Sequence, residues 1–167
     1  MKNAKFIVLA LLIASIFLVG TTNKGPLDEK FLFFETELSG AHEVPLVVTI
    51  LTGEATFRYD KVTGDFLYKV VVQGDRSNPP TVLAAHVHCA IAGQNGPVGY
   101  TIYSGPPKTG NGVLATGNLT APDAGNACGW TTVADVTNAM RTGNAYVNVH
   151  TVTFPSGEAR GQLSLTP

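Results

Sequence analysis

Four histidines are the residues of this chain best suited to chemistry, and three of them fall in strand-like segments. His86 and His88 are separated by one valine, and His150 ends a segment in which valines alternate with polar residues. Side chains alternate across a β-strand, so His86 and His88 share one face. A third imidazole from a neighbouring strand would complete a nitrogen site suited to copper or zinc. His42, in a predicted corner, is a candidate fourth ligand.

Three further polar residues are expected on the same surface. Tyr146 and Asn148 alternate with valines in the segment that carries the third histidine, and Arg160 lies in the following strand-like segment. Asn148 could hold an imidazole in one tautomer by a hydrogen bond to the ring nitrogen that does not bind the metal. Arg160 could bind an anion or form an ion pair with Glu43 or Glu158. The alternative for the histidines is that they bond to backbone or water and order the loops at one end of the fold.

The rest of the sequence offers little support for other chemistry. It contains no Ser-His-acid pattern, no glycine-rich phosphate loop and no His-Glu-x-x-His motif. The formal net charge is −1 and there is no basic run, so nucleic-acid binding has no electrostatic support. These observations favour a binding or redox protein over a hydrolase.

The two cysteines, Cys89 and Cys128, allow one intramolecular pairing. In an oxidising compartment they are expected to form a disulfide. The alternatives are two buried thiols, or Cys89 as a soft metal ligand beside His88.

The N-terminal residues have the layout of a secretory signal. Two lysines precede an uncharged apolar run, Phe6–Val19, which small residues follow, so residues 1–22 are predicted to be a signal peptide. The run is short for a membrane span, which needs about 20 apolar residues, and an uncleaved anchor is the alternative. Residues 23–30 are expected to be a linker and residues 31–167 one domain. The mature protein is therefore expected to be secreted or otherwise extracytoplasmic.

Short β-like runs separated by turn residues follow the linker, with a single helical candidate. Sparse charge and frequent Gly and Pro suit an all-β fold, and about eight antiparallel strands predict a Greek-key β-sandwich or barrel with one short helix. The predicted helix covers Thr132–Met140, with Thr132 as its cap and Gly143 after its C-terminal end. The predicted strands are Phe31–Ser39, Val47–Leu51, Glu54–Tyr59, Phe66–Gln73, Val82–Cys89, Val98–Tyr103, Val113–Leu119, Tyr146–Thr151 and Glu158–Leu165.

Four segments together resemble the CHRD domain, which is named for chordin. They are FETELSGAHEVP (34–45), GEATFRYD (53–60), AAHVHCAIAGQNGPV (84–98) and AYVNVHTVTFPSGEARGQL (145–163). The resemblance covers about residues 31 to 166, and His42 departs from it because the family usually has an amide residue there. It implies an extracellular or exported domain, and binding of growth factors would follow only by analogy with chordin.

A more distant similarity is to Cu/Zn superoxide dismutase, an eight-stranded Greek-key barrel. That family takes copper from an H-x-H strand, which His86 and His88 match, and from a later strand that His150 matches. No histidine lies between His88 and His150, so the bridging imidazole and the zinc loop of that family have no counterpart. The resemblance therefore implies at most a mononuclear copper site.

We expect an exported CHRD-domain binding protein that holds one copper ion through His86, His88 and His150. A redox enzyme is the rival hypothesis: a zinc-less protein like superoxide dismutase, with Arg160 as its anion-steering group. The third is a metal-free structural or adhesive protein of the cell envelope. The expected partners are a metal ion and an extracellular or envelope protein, with the membrane involved only if the leader is retained.

Overall fold

The computed structural model describes residues 30–166. The predicted signal peptide and nearly all of the predicted linker lie outside this range. Within it, no helix combines the length and the apolar character needed to cross a bilayer.

Residues 31–166 form nine antiparallel strands and one α-helix, as expected from an all-β sequence. The strands are β1 (Phe31–Ser39), β2 (Thr52–Asp60), β3 (Phe66–Gln73), β4 (Thr81–His88), β5 (Val98–Thr109), β6 (Gly112–Asn118), β7 (Tyr146–Thr151), β8 (Ala159–Gln162) and β9 (Ser164–Leu165). The α-helix is α1 (Val133–Arg141), and a single 3₁₀ turn, Gly40–His42, follows β1.

The strands form one sheet that curls into a nearly closed barrel. Their order is β5-β4-β7-β8-β1-β2-β3-β6, and β9 also pairs with β1. Because β8 returns beside β1, the order β8-β1-β2-β3 has a Greek-key arrangement. Side chains join the two free edges: Lys108 of β5 donates to the carbonyl oxygens of Val113 and Leu114 on β6. The predicted Greek-key barrel is thereby confirmed.

The barrel interior is an apolar core built from alternate residues of the strands. On β4 the core residues are Ala85 and Val87, and on β7 they are Val147 and Val149, all 0% exposed. This alternation places the histidines of both strands on the outer surface of the barrel. Burying four such side chains fixes the register between β4 and β7, because a slip of one residue would turn every core residue outward.

Three strand predictions differ from the structure. Residues 47–51 form no strand, and Leu46, Val48 and Ile50 are exposed. β5 continues past Tyr103 to Thr109, through residues expected to form a loop, because its second half pairs with the start of β4. The last predicted strand is split into β8 and β9.

The helix prediction is confirmed with a shift of one residue. Thr132 is the N-cap, and its side chain and that of Asp135 form a reciprocal capping box. Gly143 has φ of 71°, the left-handed conformation that a residue after a helix end commonly adopts.

Candidate metal centre

The pairing of β4 with β7 brings the three strand histidines together. His86 lies opposite Asn148 and His88 opposite Tyr146, while His150 lies opposite Ala84. His150 is therefore a diagonal cross-strand neighbour of His86 on the same face. The predicted partnership between the H-x-H strand and the strand of His150 is correct.

The three imidazoles converge on one small region. Ring centroids are 4.9 Å apart for His86 and His150, 5.6 Å for His86 and His88, and 6.0 Å for His88 and His150. One nitrogen from each ring can be chosen so that all three lie within 4.8 Å of one another. That spacing brings the three nitrogens close enough to share one ion after small side-chain adjustments, because metal–imidazole bonds are about 2.0–2.1 Å long.

Two backbone carbonyls fix the tautomers of two of the three rings, His88 and His150. The Nδ1 atoms of His88 and His150 lie 2.9 Å from Gly96 O and 3.0 Å from Pro155 O. A carbonyl oxygen only accepts hydrogen bonds, so in the neutral rings both Nδ1 atoms carry the proton and both Nε2 atoms keep a free lone pair.

The free nitrogens are buried and lack partners. His88 Nε2, His150 Nε2 and His86 Nδ1 have no hydrogen-bond partner within the described residues. An unpartnered buried polar atom costs about 1–3 kcal/mol, which a structural histidine would avoid. Three such atoms in one cluster of three histidines fit a metal ion.

Burial also keeps the three rings neutral. It lowers the pKa of His86 to about 4, with further lowering from His150 and His88. Burial likewise lowers the pKa values of His88 and His150. Because only the neutral imidazole ligates, all three rings are in the metal-binding form at neutral pH.

The loops after β4 and β7 contact the histidine face. The loop after β4 supplies Gly96, whose backbone packs so closely on the Cys89 carbonyl that any side chain would collide with it. A disulfide between Cys89 and Cys128 joins the end of β4 to the loop before α1. The predicted disulfide is confirmed, and it removes Cys89 as a thiolate ligand.

Tyr146 and Arg160 support His88 from one side. The Tyr146 ring stacks on the His88 ring at 4.8 Å with an interplanar angle of 11°, and the Arg160 guanidinium carbon lies 3.4 Å from the Tyr146 centroid. The Tyr146 hydroxyl accepts a hydrogen bond from the Gly96 amide at 3.2 Å. Both residues were expected near the site, but their stacking on a candidate ligand could not be foreseen.

Asn148 and Arg160 make other contacts than those expected. Asn148 Nδ2 donates to Glu43 Oε2 at 3.3 Å and fixes no imidazole. Arg160 donates to Asn95 Oδ1 and to the Gln94 carbonyl. It forms no ion pair, since Lys30–Asp60 is the one pair within 4.0 Å across the described residues.

The structure does not bring His42 into the cluster. Its ring is exposed on the 3₁₀ turn, with Nδ1 3.2 Å from the Arg160 carbonyl and 3.3 Å from Ser39 Oγ. Sequence reasoning missed Gly96 and Pro155, whose backbone carbonyls orient the ligands. The only indication of these two residues in the sequence was the turn character of the segments that contain them.

Fold and site together define a class: an all-β barrel with a buried, neutral three-imidazole cluster on its outer face. The family model of the CHRD domain matches residues 34–163, which is most of the chain. The chain belongs to the CHRD-domain family. Neither the curated proteins nor the solved structures contain a match to it.

Proposed function

We propose that this CHRD-domain protein is exported and binds one copper ion through His86, His88 and His150. The observation that carries the proposal is a three-histidine cluster in which one nitrogen of each ring lies within 4.8 Å of the others and each ring has a buried nitrogen without a hydrogen-bond partner. Family membership, the disulfide and the signal-like N-terminus support an extracytoplasmic location.

Copper is favoured over other metals by the donor set. The cluster offers imidazole nitrogen alone, with neither a carboxylate nor a thiolate among its members. Nitrogen sites bind copper most tightly among the divalent first-row metals. When bound, copper would supply a redox-active or transferable cation. The protein's own residues hold the rings neutral and orient the lone pairs of His88 and His150.

The enzyme hypothesis receives less support. Arg160 was the sole candidate for steering an anion to the metal, and it is 1% exposed and bonded to Asn95 and Gln94. A guanidinium in that position is not presented to an approaching anion. We therefore propose a binding role, and a redox assay on the copper-loaded protein separates the two hypotheses.

The test is a copper titration of the purified protein followed by dialysis and metal analysis. We expect one ion per chain in the wild type and in the control variant His42→Ala, which lies outside the cluster. His150→Ala and the double variant His86→Ala, His88→Ala should lose the ion while circular dichroism shows an intact β-fold. Copper retained by the folded double variant would refute the assignment and favour another site. A wild type that takes up no copper would favour a structural or envelope role.

A further inference from the structure

Arg160 is a buried cation whose charge is not neutralised by direct contact. It is 1% exposed, and its guanidinium donates to two neutral oxygens, Asn95 Oδ1 at 3.1 Å and Gln94 O at 2.7 Å. Within residues 30–166 no carboxylate lies within 4.0 Å of it. A buried charge keeps a long-range influence because little water screens it.

The guanidinium belongs to a stack that ends on a candidate metal ligand. Arg160 lies on β8, Tyr146 on β7 and His88 on β4, three adjacent strands. The guanidinium carbon is 3.4 Å from the Tyr146 centroid, and the Tyr146 ring is stacked on the His88 ring at 4.8 Å. The side of the Tyr146 ring that faces away from Arg160 therefore meets the imidazole.

We propose that Arg160, acting across the Tyr146 ring, makes the three-histidine site selective for monovalent over divalent copper. The inference rests on the proposed copper site and adds the oxidation state of the copper that it binds. A fixed positive charge raises the energy of a bound Cu²⁺ by twice as much as that of a bound Cu⁺. The ligands add no negative charge that would offset this difference, because all three are neutral imidazoles.

Two carboxyl groups near the site, when ionised, oppose the effect of Arg160 and favour Cu²⁺. Glu43 opposes Arg160 electrostatically, but burial raises the pKa of its carboxyl to about 7, so it is only partly ionised at neutral pH. The carboxylate of Asp123 acts electrostatically on His86. It accepts hydrogen bonds from the backbone amide and the hydroxyl of Thr101. Neither carboxylate forms an ion pair with the guanidinium, so direct contact does not cancel the charge of Arg160.

The expected size of the effect follows from Coulomb's law. Two unit charges about 10 Å apart at an effective dielectric constant of about 20 change a binding ratio by roughly tenfold. Removal of the Arg160 charge should therefore raise the affinity for Cu²⁺ relative to Cu⁺ by roughly tenfold. A tenfold change in that ratio corresponds to a fall of about 59 mV in the one-electron reduction potential.

The experiment measures both affinities of the purified protein by competition with colorimetric chelators specific for Cu⁺ and for Cu²⁺. Arg160→Gln should shift the ratio towards Cu²⁺ by roughly tenfold. Arg58→Gln is the matched control, because Arg58 also lies over an aromatic ring, that of Phe31, but far along the sheet on β2. The control should leave the ratio unchanged.

A second variant covers the case in which Arg160→Gln does not fold. Glu43→Gln removes the carboxylate that offsets Arg160, and at pH 8 it should shift the ratio in the opposite direction, towards Cu⁺. Copper binding with the same ratio in the folded variants and the wild type would overturn this inference alone. A wild type that binds neither ion would overturn the proposed function, and this inference with it.

Discussion

Replacing His86 with leucine tests whether this histidine is a metal ligand or a residue that stabilises the fold. The substitution removes a titrating ring whose Nδ1 is buried without a partner and puts in its place a side chain of similar volume that cannot ligate. Replacing a structural histidine would leave a gap or break a hydrogen bond. At this position no hydrogen bond is lost within the described residues, so the metal-free variant should be at least as stable at pH 7.5.

The pH dependence of stability gives the magnitude. The folded-state pKa of His86 is lowered from 6.5 to about 4. The unfolded chain therefore binds a proton more readily, and stability is lost as the pH falls from 6.5 towards 4. At about 1.4 kcal/mol per pKa unit the full shift is worth about 3 kcal/mol, and solvent contact with part of the ring reduces this to about 1–2 kcal/mol. His86→Leu should remove that loss.

The assay is urea unfolding of the metal-free protein, with a chelator present and the disulfide intact, at several pH values between 7.5 and 4. His42→Leu is the matched control: this exposed histidine should change stability by no more than about 0.5 kcal/mol and leave the acid loss of the wild type in place. A cost of about 3 kcal/mol for His86→Leu at pH 7.5, with the wild-type pH dependence retained, would refute the ligand role of His86. That result would make the ring a structural element.

Three further predictions use other features of the site. Because the pKa of His86 is about 4, protons should compete weakly for the ligands, and dialysis at pH 5.5 should leave the copper content close to its value at pH 7.5. Release of half of the metal near pH 6.5 would contradict the buried, neutral cluster. Replacing both Cys89 and Cys128 with serine opens a loop with a sequence separation of 39 residues and should cost about 4 kcal/mol, measured as a lowered midpoint of urea unfolding. An unchanged midpoint would show that the loop before α1 is held by its other contacts. Burial raises the pKa of Glu43 from 4.5 to about 7, so the wild type loses stability as the pH rises through this interval. Glu43→Gln should remove most of that loss. The stability of the variant relative to the wild type should therefore be about 1–2 kcal/mol more favourable at pH 8 than at pH 5. An equal difference at both pH values would refute the raised pKa.

Local pattern was enough to predict the strands that carry the candidate ligands. The alternation of β-branched and polar residues placed Val147 and Val149 in the core and His150 on the outer face, because a strand repeats every two residues. The spacing of His86 and His88 required a shared face in the same way. The cysteine count predicted the disulfide, since two cysteines allow a single pairing.

Positions that depend on long-range pairing were predicted less well. Residues 47–51 are apolar enough for a strand but find no partner, and whether a strand forms depends on a neighbour elsewhere in the chain. The second half of β5 reads as a loop because of its glycine and prolines, yet it pairs with the start of β4. In both cases tertiary context overrode the local preference.

By itself, the sequence determined the all-β class, the family and the three histidines that form the candidate site. The tertiary structure alone decided how that site is finished: which ring nitrogens stay free, that two loops contact the rings, and that Arg160 and Tyr146 stack behind His88. The physical reason is that side-chain alternation is a local property of a strand. The carbonyls of Gly96 and Pro155, which accept hydrogen bonds from His88 and His150, lie by contrast in loops whose positions are set only when distant strands pair.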